Sequence, residues 1–239
     1  MSVPIGNDGG YNYFSDGLHR LDGFLRYRAG ITDSANMALA SLFIALAALL
    51  FTVGSFWWIH ARRGKLQSFP PQTFAGYLQR DSAAIRLPLS ILNTGAVPIV
   101  VTDLRLRLEP IEGDELLMHC RTFRRSLTPE ADDVDDFAHP WTVPGRTVVS
   151  KHLEFASTSD PDSILSGAPV NAVIEGLTDR QTTWTTLLRF PLHVEIMAHI
   201  GRYITYSNQE HVWQPNLRSD AAKAHSKLRA EIEARKEAS

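Results

Sequence analysis

The chain has 239 residues, 24 Lys and Arg against 26 Asp and Glu, for a net charge of −2. That balance gives no reason to expect nucleic acid as a partner, since such domains carry a clustered basic excess. A single cysteine, Cys120, excludes an intramolecular disulfide and a Cys-rich zinc site.

Residues 1–36 form an amino-terminal arm. Its first thirteen residues are rich in Gly and Asn and lack periodicity, which predicts a flexible start. Phe14, Leu18, Leu21 and Leu25 then recur on one helical face, with Ser15 as an N-cap and Arg20, Arg26 and Arg28 between them. An interfacial helix on lipid headgroups and a partly disordered arm both remain open, because Gly17 and Gly23 each cost a helix roughly 1 kcal/mol.

From Met37 to Ile59 the chain runs through MALASLFIALAALLFTVGSFWWI with no charged residue, His, Asn, Gln or Pro. As a helix this reaches roughly 30 Å or more, the thickness of a hydrocarbon core. It is longer than a signal-peptide core and lies too deep in the chain to be one. The expectation is a single membrane span, capped by Asp33 or Ser34 and closed at its far end by Trp57 and Trp58 as an interfacial belt. Ala38, Ser41, Ala45, Ala48, Thr52 and Ser55 follow one another at spacings of three and four. They form a stripe of small residues suited to close helix packing against a second copy or another protein.

The segment 60–68 is a basic juxtamembrane linker in which Arg62, Arg63 and Lys65 are the cations meeting the membrane surface. The Lys and Arg count is equal on the two flanks, but the carboxy-terminal cluster is the tighter. That predicts the large domain on the cytoplasmic side.

From Phe69 the hydrophobic period changes to two. Ile85, Leu87, Leu89 and Ile91 alternate with Arg86, Pro88 and Ser90. After a turn at Asn93–Pro98 that offers Gly or Asn for a positive φ, Val100, Leu104, Leu106 and Leu108 oppose Asp103, Arg105 and Arg107. This reads as a hairpin, with Pro88 confining the first strand to an edge or an outward position. Further strands are expected over Leu116–Phe123, Val148–Phe155, Val170–Ile174 and Thr182–Ile200. Six or seven such strands predict a mainly β domain over residues 69–217, two antiparallel sheets packed as a sandwich. Residues 218–239 read as a weakly amphipathic terminal helix that protrudes, with pairs at Lys227/Glu231 and Glu231/Arg235.

No nucleotide-binding loop, GxSxG, HExxH or Cys/His metal spacing occurs. His193 and Glu195 read as neighbours on a solvated strand face. The run from Pro129 to Asp136 reads as an exposed acidic loop without calcium-loop spacing. His119 and Cys120 alternate to opposite faces, and Trp141 and Trp184 read as core aromatics. No catalytic, cofactor-binding or metal-binding residue is expected.

The stretch from Leu87 to Leu106, with its strand, Asn-x-Gly, x-Pro-Ile and second strand, resembles the hairpin of prokaryotic membrane-anchored immunoglobulin-like β-sandwich domains. Phe137–Arg146 followed by Val148–Phe155 is similar to a later part of such domains. The resemblance implies an immunoglobulin-like antiparallel β-sandwich, of a kind that seldom catalyses, and no functional residue carries over; with the two helices read above, the expected fold is mainly β, a single transmembrane helix followed by that sandwich and a carboxy-terminal α-helix. The expected function is a membrane-anchored interaction or scaffold module. The alternative is an accessory subunit of a larger membrane complex, docked through its helix. Expected partners are membrane lipid and a protein, or a second copy, at the helix.

Overall fold

The computed structural model describes residues 36–237 except 112, 129, 131, 159, 160 and 166, with backbone only at 163 and 164. The expected amino-terminal helix and the caps at Asp33 and Ser34 lie outside these residues. By packing, the chain divides after Ile59. Helix α1, Asn36–Ala61, which lies in the first unit but for its last two residues, is long and apolar enough to cross a membrane. Ala, Leu and Phe favour the helix and no Pro interrupts it. Its last turn, Trp57–Ala61, widens to π geometry, so the small-residue stripe, which ends at Ser55, lies wholly in regular α-helix.

In the second unit eleven strands form one antiparallel sheet curled into a half-barrel. They are β1 (Leu66–Ser68), β2 (Thr73–Gln79), β3 (Ser82–Asn93), β4 (Ile99–Glu109), β5 (Leu116–Arg124), β6 (Val134–Phe137), β7 (Trp141–Val143), β8 (Val148–Ser157), β9 (Val170–Thr178), β10 (Thr185–Leu192) and β11 (Ile204–Ser207). The main order is β10-β9-β4-β5-β8-β3-β2-β11, with β1 beside β3, β6 beside β5 and β7 beside β4.

The expected hairpin between β3 and β4 is absent. β3 pairs with β8 from Ala83 to Leu92, and with β2 and β1 on its other edge. β4 pairs with β9, β5 and β7. Residues 94–98 therefore bridge the two halves of the curled sheet. Alternation shows that a strand has one buried face but does not show which strand lies beside it. Pro88 is tolerated in a central strand because β2 covers β3 only as far as Arg86 and β1 only from Ile91. A one-residue shift in the β4–β9 register between Val101 and Asp103 turns both Val101 and Leu104 inward, where strict alternation placed Val100. β5 is shared: Leu116–His119 pairs with β4 and His119–Arg124 with β8, with a bulge between Cys120 and Thr122. This crossing joins the halves on one side of a single core that includes Leu87, Leu89, Leu106, Leu153, Phe155 and Ile174. Each such side chain contributes about 1.5–3 kcal/mol by leaving water.

The last strand expected, Thr182–Ile200, is a strand only over β10; after Leu192 the chain closes into a 3-10 turn, Val194–Ile196. Helix α2, Leu217–Glu237, does not protrude. Ala221, His225, Leu228 and Ile232 are buried at spacings of four, three and four, and the helix packs against that turn. Arg229 donates to Asp162 (3.1 Å) and the Leu165 carbonyl (2.7 Å), and Arg80 to Glu231 (2.8 Å). Glu231 thus bonds to the β2–β3 turn, where pairing within the helix was expected.

Candidate functional site

Along α1 the stripe Ala38, Ser41, Ala45, Ala48, Thr52 and Ser55 lies on one helical face, exposed except for half-buried Ser55. Two of its hydroxyls already donate within the helix, Ser41 to the Met37 carbonyl and Thr52 to the Ala48 carbonyl, both at 2.8 Å. Toward a partner helix they offer only acceptor lone pairs. Trp57 and Trp58 are exposed in the π turn.

The basic linker is built into the domain. The Arg62 carbonyl accepts from Ala96 N–H (2.8 Å), the Lys65 carbonyl from Thr94 N–H (3.1 Å), and Lys65 N–H donates to Thr94 Oγ1 (3.0 Å). Gly64 and Gly95 meet backbone to backbone, so close that a Cβ on Gly64 would lie 1.8 Å from the Gly95 nitrogen. Gly95 is needed for this approach; neither it nor Asn93 has the positive φ expected of that turn. Asn93, fully buried, holds the assembly together. Its Nδ2 donates to the Val97 (3.0 Å) and Val143 (3.1 Å) carbonyls, its Oδ1 accepts from Gly95 N–H, and its own N–H donates to the Thr147 carbonyl (3.1 Å). Arg63 and Lys65 remain exposed and Arg62 is half-buried.

His193 and Glu195, expected on a solvated face, are both buried. Because the chain leaves strand geometry at Leu192, the imidazole turns inward, with Nδ1 2.7 Å from Glu195 Oε1 and Trp213 packed edge-on at 4.9 Å. Glu195 Oε2 has no hydrogen-bond partner among the described residues. The pair braces the turn that seats α2.

The acidic run is likewise not wholly exposed. Asp133 is 4 % exposed and bonds Arg86 and Arg124, and the same two arginines hold Glu154 at 3.0 and 2.7 Å. Arg86 points away from the sheet core, as alternation predicts. The segment after β5 covers it, through the Ser126 carbonyl (2.9 Å), with the Tyr203 ring 5.1 Å from the guanidinium. Burial pushes both carboxyls up. The arginines outweigh it and hold Asp133 and Glu154 below the usual carboxylate range. Two cations against two anions, with little water, make a structural clamp. On the outer face of β4 and β9, Arg105 and Arg107 meet Glu175 at 2.7 and 3.1 Å, and Trp184, expected in the core, lies under the Arg105 guanidinium at 4.3 Å.

A pocket of about 260 Å³ opens where β4 leaves β5, lined by Thr102, Asp103, Cys120, Phe123, His139 and Trp141 among others. Trp141 is buried, as expected; its Nε1 and the Thr102 hydroxyl are buried without partners among the described residues. Burial, followed by Asp103 and Glu154, pushes the Cys120 thiol up to about 12, which disfavours the thiolate. No group of three metal-ligating side chains occurs among the described residues.

No protein-family model and no curated protein matches the chain. A crystal structure of a protein from Archaeoglobus fulgidus aligns at 12% identity and a TM-score of 0.28, over 62% of this chain and 98% of that one. A likeness at that level carries no argument.

Proposed function

We propose that the chain is a single-pass membrane protein whose β domain is an immunoglobulin-like interaction or scaffold module, without a catalytic role, on the cytoplasmic face. The observation that carries this reading is α1, apolar around its circumference with none of its most apolar stretch buried. A helix of that kind requires lipid or another protein as cover. Strand connectivity supports the immunoglobulin-like part. The order β2-β3-β8-β5 follows the A-B-E-D sheet of such domains, and β4-β9-β10 follows C-F-G. The departures are β5, which joins the two sheets, and the missing disulfide between strands B and F.

The test is crosslinking and capture from membranes with the full chain and with residues 60–239. The domain fragment begins at His60 because Arg62 and Lys65 bond to it. A partner captured by both supports the module. A partner captured only with α1, and lost on Ala45→Leu with Ala48→Leu but not on Leu42→Ala with Leu49→Ala, supports an accessory subunit docked through the stripe. Hydrolase activity in the fragment would overturn both.

A further inference from the structure

The strand ends nearest the linker carry a charge pattern that the anchor alone does not require. Segments 62–65, 94–98, 144–147 and 179–184 lie together at this end of the sheet, drawn in by Asn93 and by Arg180, which donates to the Val97 (3.2 Å) and Pro98 (2.7 Å) carbonyls. They hold five cations, Arg62, Arg63, Lys65, Arg146 and Arg180, against one acid, Asp179. Asp179, also exposed, accepts from Val100 N–H at 3.1 Å, so the cations remain in excess by four. All of the cations but Arg62 are exposed. Arg146 stands at φ 57°, the one non-glycine residue with positive φ among those described. That conformation favours Gly or Asn, so an arginine is kept there at a cost to folding. Arg62 follows Ile59 by three residues, at most roughly 10 Å of extended chain. Arg62 is itself bonded to the 94–97 turn, so the covalent link from α1 to this end of the domain is no longer than that.

We infer that this end of the domain is a docking surface for anionic phospholipid headgroups, in which Arg146 and Arg180 extend the linker cations into a single basic face. The inference rests on the reading of α1 as a membrane anchor. It adds that the domain is held down on the bilayer by charge, beyond being tethered to it. Several cations within a Debye length of an anionic leaflet act together, and high salt weakens them.

The experiment uses the full chain in nanodiscs of phosphatidylcholine alone or mixed with phosphatidylglycerol, with a fluorophore on Thr182→Cys and a headgroup spin label as quencher. Quenching should be several-fold greater in the anionic discs and fall in high salt. Arg146→Gly, which relieves the strained φ and so keeps the fold, should lower the docked population by about fivefold, the effect of one cation near such a surface. Equal quenching in both lipids, or an Arg146→Gly variant that docks like the parent, would overturn the surface and leave the anchor standing. Release of the full chain from vesicles by alkaline carbonate would overturn the anchor, and the surface with it.

Discussion

Asp133→Asn leaves Arg86 buried with one carboxylate where it had two, and breaking a buried pair costs about 3–5 kcal/mol. Urea unfolding at neutral pH should show a loss of that order, and a smaller loss for Glu109→Gln, whose partners are partly exposed. The same clamp sets an acid limit. Asp133 and Glu154 are held below the ordinary carboxylate range, so on acidification the unfolded chain takes up protons first. The stability they contribute is complete above about pH 4 to 5 and is lost as pH falls through their folded values. Asp133→Asn should make stability flatter between pH 5 and 3, about the range over which such carboxyls titrate; an unchanged slope would remove the clamp from the explanation. Cys120 gives a second residue-scale expectation. With its thiol pushed up to about 12, iodoacetamide at mildly alkaline pH should modify it only after denaturation, and rapid alkylation of the folded chain would contradict the burial. The setting of Asp133 and Arg86 was not legible from the sequence. Alternation placed Arg86 on the outer face correctly, but the cover over it comes from the segment after β5 and from Tyr203, both distant in sequence.

At the scale of elements, the linker and α2 are where local pattern and structure part. Residues 60–68 read as a linker because they are short and basic, yet the backbone of Arg62 and Lys65 completes the 94–97 turn. A domain beginning at Leu66 should melt several degrees below one beginning at His60, as each lost hydrogen bond removes about 0.5–1.5 kcal/mol; equal midpoints would show the linker to be a free tether. The segment 218–239 read as protruding because Leu228 and Ile232 are its only large apolar residues. Ala221 and His225 complete the buried face, and nothing in the local sequence marks a histidine as buried. Burial, with Arg229 nearby, depresses the His225 pKa against the Met197 carbonyl bond. The unfolded chain therefore protonates there first, and stability is lost as pH falls below about 6.5 toward the folded value. Strand positions, by contrast, were legible wherever the period of two was clean, as in β3 and β4. Their pairing was not, because β3 and β4 each satisfy their edges with strands far along the chain.

At the scale of the whole molecule, the cations outnumber the acids at the linker end, while at the other end Asp81 and Asp162 are met by Arg235, Arg229 and Lys236 of α2 at 3.7, 3.1 and 3.9 Å. Topology must be decided by what crosses the bilayer, and counting Lys and Arg alone leaves Arg20, Arg26 and Arg28 balanced against Arg62, Arg63 and Lys65. Proximity decides it: the second group begins three residues after Ile59, whereas Arg28 lies nine residues before Met37. The Arg62 carbonyl is bonded to Ala96 N–H, so the backbone of this group is held by the domain. The cytoplasmic side is therefore expected to hold the β domain. Cys120 is half-buried, so the test is made in a Cys120→Ser background. A cysteine introduced at exposed Lys223 of α2 should resist a membrane-impermeant maleimide in intact cells and react fully once the membrane is opened. Labelling in intact cells would place the domain on the opposite side, and the three linker cations would then not be the orienting charge.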